Sequence, residues 1–135
     1  GFLFEEEILK FKKKLQSGLV SSIWIQFGTD CTILESRIDI LKKIIFSIDK
    51  SNLNKSNINL FGSILLPSKQ FLARFKYRPW KGVYCSNEFL ESVYIARNFI
   101  IKLLITYKKY GICPIIETDV STVDKLNSLK SILLL

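Results

Sequence analysis

Residues 21–27 read SSIWIQF, a short β-branched and aromatic run that is apolar at nearly every position, with Gln26 as a polar intruder at its carboxyl end. Such a run suits a buried parallel strand covered on both faces, because a strand with one wet face alternates polar and apolar residues instead. The flanking segments have a different period. Upstream, Phe4, Ile8, Phe11 and Leu15 are spaced four, three and four apart, the stripe of an amphipathic helix over residues 2–16 with Lys10, Lys12, Lys13 and Lys14 around it and Gly18 as its stop. Downstream, after Gly28 and Thr29, Asp30 is placed to cap a helix whose apolar side carries Ile33, Leu34, Ile38, Leu41, Ile44 and Ile45. A helix, a strand and a second helix in succession already favour a layered α/β fold over a bundle or a sandwich.

The same alternation continues to the end of the chain. Ser51–Ser56 (SNLNKS) reads as a polar loop, and Ile58–Leu66 (INLFGSILL) as a second strand, with Gly62 inside it marking a bulge or a close backbone approach. Pro67 is expected to open a short helix through about Tyr77. Pro79 and Gly82 break up residues 78–84 into irregular structure, and Ser86 precedes a helix expected over residues 87–110, with Lys108 and Lys109 in its last turn and Gly111 as its stop. Residues 112–117 read as a third strand, and Asp119 or Ser121 as the cap of a last helix through about Leu129. The order α-β-α-β-α-α-β-α, with helix-length crossovers, calls for parallel strands in one α/β domain without repeats or linkers. Ligands of such folds bind at the carboxyl ends of the strands, which puts Gln26, Asp30, Gly62, Glu117, Thr118 and Asp119 on one candidate rim.

Composition narrows the chemistry. With 135 residues, 48% of them hydrophobic, the chain can bury a core, so an ordered domain is expected. It contains no histidine, which removes the usual general base and most zinc and haem sites, so catalysis would need a cofactor or borrowed residues. Cys31, Cys85 and Cys113 are odd in number and far apart, and read as buried thiols, neither a disulfide framework nor a zinc knuckle. The net charge of +8 favours contact with nucleic acid, anionic lipid or phosphorylated ligands. A general enrichment in Lys, Ile and Asn explains that surplus equally well. Apolar stretches are interrupted or fall short of the ~20 residues that span a bilayer, so no transmembrane segment is expected. Phe2–Phe4 followed by Glu5, Glu6 and Glu7 is the wrong charge order for a signal or transit peptide. Nothing in the sequence distinguishes cytoplasm from organelle.

Two further stretches resemble a known family. Glu7-Ile-Leu-Lys-Phe-Lys-Lys-Lys-Leu-Gln-Ser-Gly18 followed by Ile25-Gln-Phe-Gly-Thr-Asp30 is similar to a segment of the methylenetetrahydrofolate reductases, which carry an acidic residue, a leucine-rich turn, Lys-x-Lys, a glycine and a strand ending Thr-Gln-Phe-Phe-Phe-Asp. Phe61-Gly62-Ser-Ile-Leu-Leu-Pro67 resembles the family's Pro-Gly-Ile-Leu-Pro turn, and the order of elements is kept over nearly the whole chain. The resemblance implies the C-terminal half of a (β/α)8 TIM barrel that binds FAD, whose reduced flavin passes a hydride to methylenetetrahydrofolate. A complete barrel needs about 250 residues, so this chain would be a part of one, and its open edges would be covered by the other half or by other protein chains.

Residue by residue, the resemblance implies that Glu7, Lys10, Lys13 and Lys14 touch the flavin's sugar and phosphates. It implies that Gln26 and Asp30 belong to the folate side of the site and that Phe71 stacks on the folate. Two adjacent lysines can neutralise a pyrophosphate, and a strand-end glutamine offers both donor and acceptor to a pterin-like ring. Lysines on an amphipathic helix, however, usually form a solvated face, and Asp30 serves equally well as a cap alone. The sequence also departs from the family. Lys10 stands for an asparagine, Lys13 for an arginine and Gly28 and Thr29 for two phenylalanines, while Glu117–Ser121 replaces Tyr-Thr-Leu-Asn-Arg with only Thr118 persisting. The acid that serves the folate lies in the earlier half of the family's barrel, so no catalytic residue is assigned here. A reductase-derived subunit without catalysis is the alternative. Single-stranded nucleic acid on Arg74–Lys81 (RFKYRPWK), where cations interleave with Phe75, Tyr77 and Trp80, is the least favoured reading.

Overall fold

The computed structural model describes residues 2–49, 58–118 and 121–133. Its elements follow the expected order: α1 (Phe2–Gln16), β1 (Ser22–Ile25), α2 (Cys31–Asp49), β2 (Asn59–Leu65), α3 (Lys69–Tyr77), α4 (Val93–Tyr110), β3 (Cys113–Glu117) and α5 (Val123–Leu133). The three strands form one parallel sheet in the order β1-β2-β3. The fold is thus mixed α/β, with parallel strands alternating with helices as in part of a β/α barrel, and no closed barrel forms.

Sequential parallel strands joined by right-handed crossovers put every crossover helix on the same face of the sheet. In agreement, α1 packs beside α2, α2 beside α4, and α4 against β3. Register then sorts the side chains. Ile23 pairs with Leu60, Ile25 with Gly62 and Ile64 with Ile116, so these residues share the helix-covered face. Trp24, Phe61, Ser63, Leu65, Ile115 and Glu117 alternate with them and share the other. The core lies between the sheet and the helices, built on Phe27, Ile38, Ile64, Ile100, Leu103 and Tyr107 with Phe89 alongside. Each large side chain buried there contributes roughly 1.5–3 kcal/mol.

The second face is open along β1, where Trp24 keeps 57% of its surface exposed. The first strand is therefore not covered on both faces; its exposure alternates. It also ends at Ile25, because residues 28 and 29 leave its line to bond with Tyr84: Gly28 forms a parallel bridge to Tyr84, and the Thr29 N–H donates to the Tyr84 carbonyl oxygen at 3.1 Å. Pro114 fits β3 because that strand is paired on one side only among the described residues, so its missing N–H breaks no ladder.

Helix ends carry most of the other differences from expectation. Asp30 does cap α2, its Oδ1 accepting the Ile33 N–H at 2.9 Å. Pro67 does not open α3; Ser68 caps it, accepting the Phe71 N–H at 3.0 Å. Ser86 caps only a turn over residues 87–91, accepting the Phe89 N–H at 3.2 Å, and α4 starts at Val93 behind a second cap, Ser92. Gly111 ends α4 in the left-handed region at φ 66°. The cap of α5 is Thr122, whose Oγ1 accepts the Lys125 N–H at 3.4 Å, and the helix runs on to Leu133. Asp119 and the loop over residues 51–56 lie outside the described residues.

Candidate functional site

Two cavities gather most of the residues singled out by the sequence. The larger, about 810 Å³, runs between α1 and α2 along the edge of β1 that is unpaired among the described residues. Its apolar walls come from Phe4, Ile8 and Phe11 of α1, Ile23 and Ile25 of β1, and Leu34 of α2. Its polar groups are Glu7, Gln26, Asp30 and Arg37, so three of the seven predicted site residues meet here. Arg37 was not foreseen; its guanidinium lies 5.4 Å from the centroid of the Phe4 ring, a contact that links α2 to α1. An open space of this size with a few polar groups is the usual form of a small-molecule site. A parallel strand seated along β1 would also meet Ile23 and Ile25 here.

The predicted phosphate contacts do not share this groove. Lys10, Lys13 and Lys14 are exposed on α1, and Lys10 pairs with Glu7 at 3.6 Å. Lys13 and Lys14 occupy the last turn of α1, roughly 10 Å along its axis from Glu7 and towards the start of β1, not its carboxyl end. There they offset the negative end of the helix dipole, which disfavours an added phosphate. Glu7, Gln26 and Asp30 thus bring donors and acceptors to an apolar groove, whereas among the described residues Lys10, Lys13 and Lys14 lie outside it, so they add no pyrophosphate contact there.

The second cavity, about 470 Å³, opens at the carboxyl ends of β2 and β3 beneath α3 and includes Phe71, Arg74, Trp80, Glu117 and Thr118. Phe71 lies edge-on to Trp80 with ring centroids 5.7 Å apart, and Phe75 stands 6.1 Å from the same indole. Phe75 is buried in the core and Tyr77 is 92% exposed, so the rings of residues 74–81 do not make a common stacking platform. Glu117 reaches back over the open sheet face. Ser63, fully buried, donates its hydroxyl proton to Glu117 Oε1 and accepts the Trp24 Nε1–H at 2.7 Å, a hydrogen-bonded row across all three strands. Sequence alone carried one signal for this row: Trp24 alternates with Ile23 and Ile25, so it must face the other way.

The cysteines are free, but they are not the buried thiols expected: Cys31 and Cys85 are half-buried and Cys113 is exposed. Burial pushes the Cys85 thiol up to about 12 and raises that of Cys31, so neither is an activated nucleophile. Among the described residues no cluster of three metal-ligating side chains occurs, and no helix is long and apolar enough to cross a membrane. The chain matches no protein-family model, and no curated protein or solved structure is significantly similar to it.

Proposed function

We propose that this chain is the later half of a β/α barrel of the methylenetetrahydrofolate reductase type, which presents the ring-binding side of a flavin and folate site once further polypeptide closes its open edge. The observation that carries the reading is the groove along β1, where the strand-end Gln26 stands with Glu7 and Asp30 beside an unpaired parallel edge. The sequence resemblance supports it by matching Gln26 and Asp30 to the folate side of the site and Glu7 to the flavin's sugar and phosphates. A glutamine offers donor and acceptor at once, as the edge of a pterin or flavin ring requires. The pyrophosphate and the acid for the folate belong to the complementary half, so the chain by itself is not a catalyst.

The outward lysines favour a second reading, a reductase-derived subunit that keeps the fold for assembly and has lost the cofactor. The deciding experiment is visible absorption and native mass of the protein from its natural source, followed by riboflavin titration of wild type and Gln26→Ala. A flavin spectrum together with a stoichiometric partner, and weaker ring binding in the variant, supports the first reading. A partner without flavin moves the assignment to the second, and a colourless chain without any partner sinks both.

A further inference from the structure

We infer that the cavity at the carboxyl ends of β2 and β3 is a binding site for a free α-amino acid with an aromatic or large apolar side chain. Two opposite charges, Arg74 and Glu117, line the same cavity. Among the described residues neither forms an ion pair, with the other or with any other group. A cation in the last turn of α3 is explained by the helix dipole, but that does not explain a carboxylate on the same cavity wall.

The carboxylate is also held in place. Ser63, bonded in turn to Trp24, engages Oε1 of Glu117, and this row anchors the side chain on the sheet. A carboxylate has about four lone-pair positions, so the serine bond leaves acceptor capacity for an ammonium group. The Arg74 guanidinium, lining the same cavity, can donate two parallel hydrogen bonds to a carboxylate. A ligand that carries both an ammonium and a carboxylate on one carbon can satisfy both residues at once, and each ligand charge strengthens the hold on the other.

The walls define the remainder of the ligand. Trp80 packs on Phe71 and Phe75 yet leaves 50% of its surface exposed, so one part of the indole is committed to the fold and another is available for contact. Aromatic walls take an apolar or aromatic side chain, and the indole face also attracts the ammonium. A volume of about 470 Å³ accommodates such a ligand with water to spare and is smaller than a dinucleotide needs. All of these groups belong to this chain and lie outside the β1 groove, and apart from Phe71, which the family resemblance gives to the folate, none has a part in the proposed function, so the inference goes beyond it and does not rest on it.

The test is calorimetric titration of the purified protein with L-phenylalanine, with N-acetyl-L-phenylalanine (no ammonium) and 2-phenylethylamine (no carboxylate) as controls. Saturable 1:1 binding of L-phenylalanine is expected, with both controls at least tenfold weaker. Glu117→Gln keeps an acceptor for Ser63 but loses the charge, and should weaken L-phenylalanine tenfold or more. Arg74→Gln changes an exposed side chain, leaves the fold intact by circular dichroism, and should do the same. No saturable binding, equal binding of either control, or wild-type affinity in a folded Arg74→Gln protein overturns the assignment. A colourless protein without a partner that still binds L-phenylalanine would refute the flavin reading and leave this one standing.

Discussion

The ring of Tyr107 occupies the space that a side chain at position 62 would need, and its hydroxyl donates a 3.1 Å hydrogen bond to the carbonyl oxygen of Ser63. This contact joins α4 to the middle strand, and it explains why a glycine stands inside an otherwise β-branched and apolar run. A methyl group at position 62 would overlap the fully buried ring. Gly62→Ala should therefore destabilise the protein by about 1–3 kcal/mol, the usual penalty of overpacking, read from urea unfolding. Tyr107→Phe keeps the ring and loses one bond, and should lower stability by about 1 kcal/mol. If Gly62→Ala is neutral, Tyr107 does not sit where described.

Alkaline pH should weaken the fold, most of all through two groups. Burial raises the Tyr107 phenol above its usual range and pushes the Cys85 thiol from 9.0 up to about 12. In the unfolded chain the thiol ionises near 9 and the phenol near 10, while the folded chain keeps both protons. Between those values and the folded ones, the unfolded state binds fewer protons, so stability falls as pH rises. The contribution of Cys85 is fully present below about pH 9 and is lost as pH climbs towards about 12. Urea midpoints should accordingly decline above pH 9, and Cys85→Ala should flatten the first part of that decline. In thiol labelling of the folded protein at pH 8, exposed Cys113 should react well before Cys85.

Two serines distinguish the observed start of α4 from the one expected. Ser92 caps an 18-residue helix, whereas Ser86 caps a single turn. Ser92→Ala should lower stability by about 1 kcal/mol. Ser86→Ala should have a smaller effect, seen as a thermal midpoint closer to wild type. A larger loss at Ser86 would mean that the helix runs from residue 87 after all.

That ambiguity shows where sequence stops being informative. The order of elements, their parallel pairing and α1 itself follow from periods of 3.6 and 2 and from glycines such as Gly18 and Gly111. The segment over residues 87–91 has polar and apolar residues in helical proportion, and the two serine caps six residues apart look alike without the tertiary contacts of Phe89 and Leu90, both buried. Site residues divide in the same way. Gln26 and Asp30 are local to one strand end and could be placed together, but nothing local brings Arg74 to the cavity of Glu117, or Glu7 to that of Gln26. The position of α1 relative to β1 is set by packing at long range, which also decides that the groove takes in α1 as far as Phe11 and leaves Lys13 and Lys14 outside it.

The row Trp24–Ser63–Glu117 gives a prediction specific to the open sheet face. Ser63→Ala removes the buried link while leaving Trp24 and Glu117 able to turn to water. Because both ends are solvated, the loss should be modest, about 1–2 kcal/mol, below that of a fully buried charged pair. Trp24 emission should shift to longer wavelength as the indole gains water. If emission and stability are both unchanged, the row does not form in solution.

The free edge of β1 yields the sharpest test of whether this fold is a part of something larger. A parallel strand paired on one side only among the described residues, with an apolar groove beside it, invites another strand, and Ile23 and Ile25 are the side chains that strand would cover. Ile23→Asp places a charge where the docked strand would exclude water, and Ile23 is only half-buried in the chain alone, so the fold should tolerate the change. Co-purification of the partner should fall by more than tenfold in affinity, equivalent to about 1.4 kcal/mol or more, with the helical circular dichroism signal retained. Trp24→Ala, on the opposite face of the same strand, controls for general damage to the edge and should affect docking less. Partner binding undiminished in a folded Ile23→Asp protein would mean that the groove is not covered by polypeptide, and its volume would then be available to the ring of a ligand.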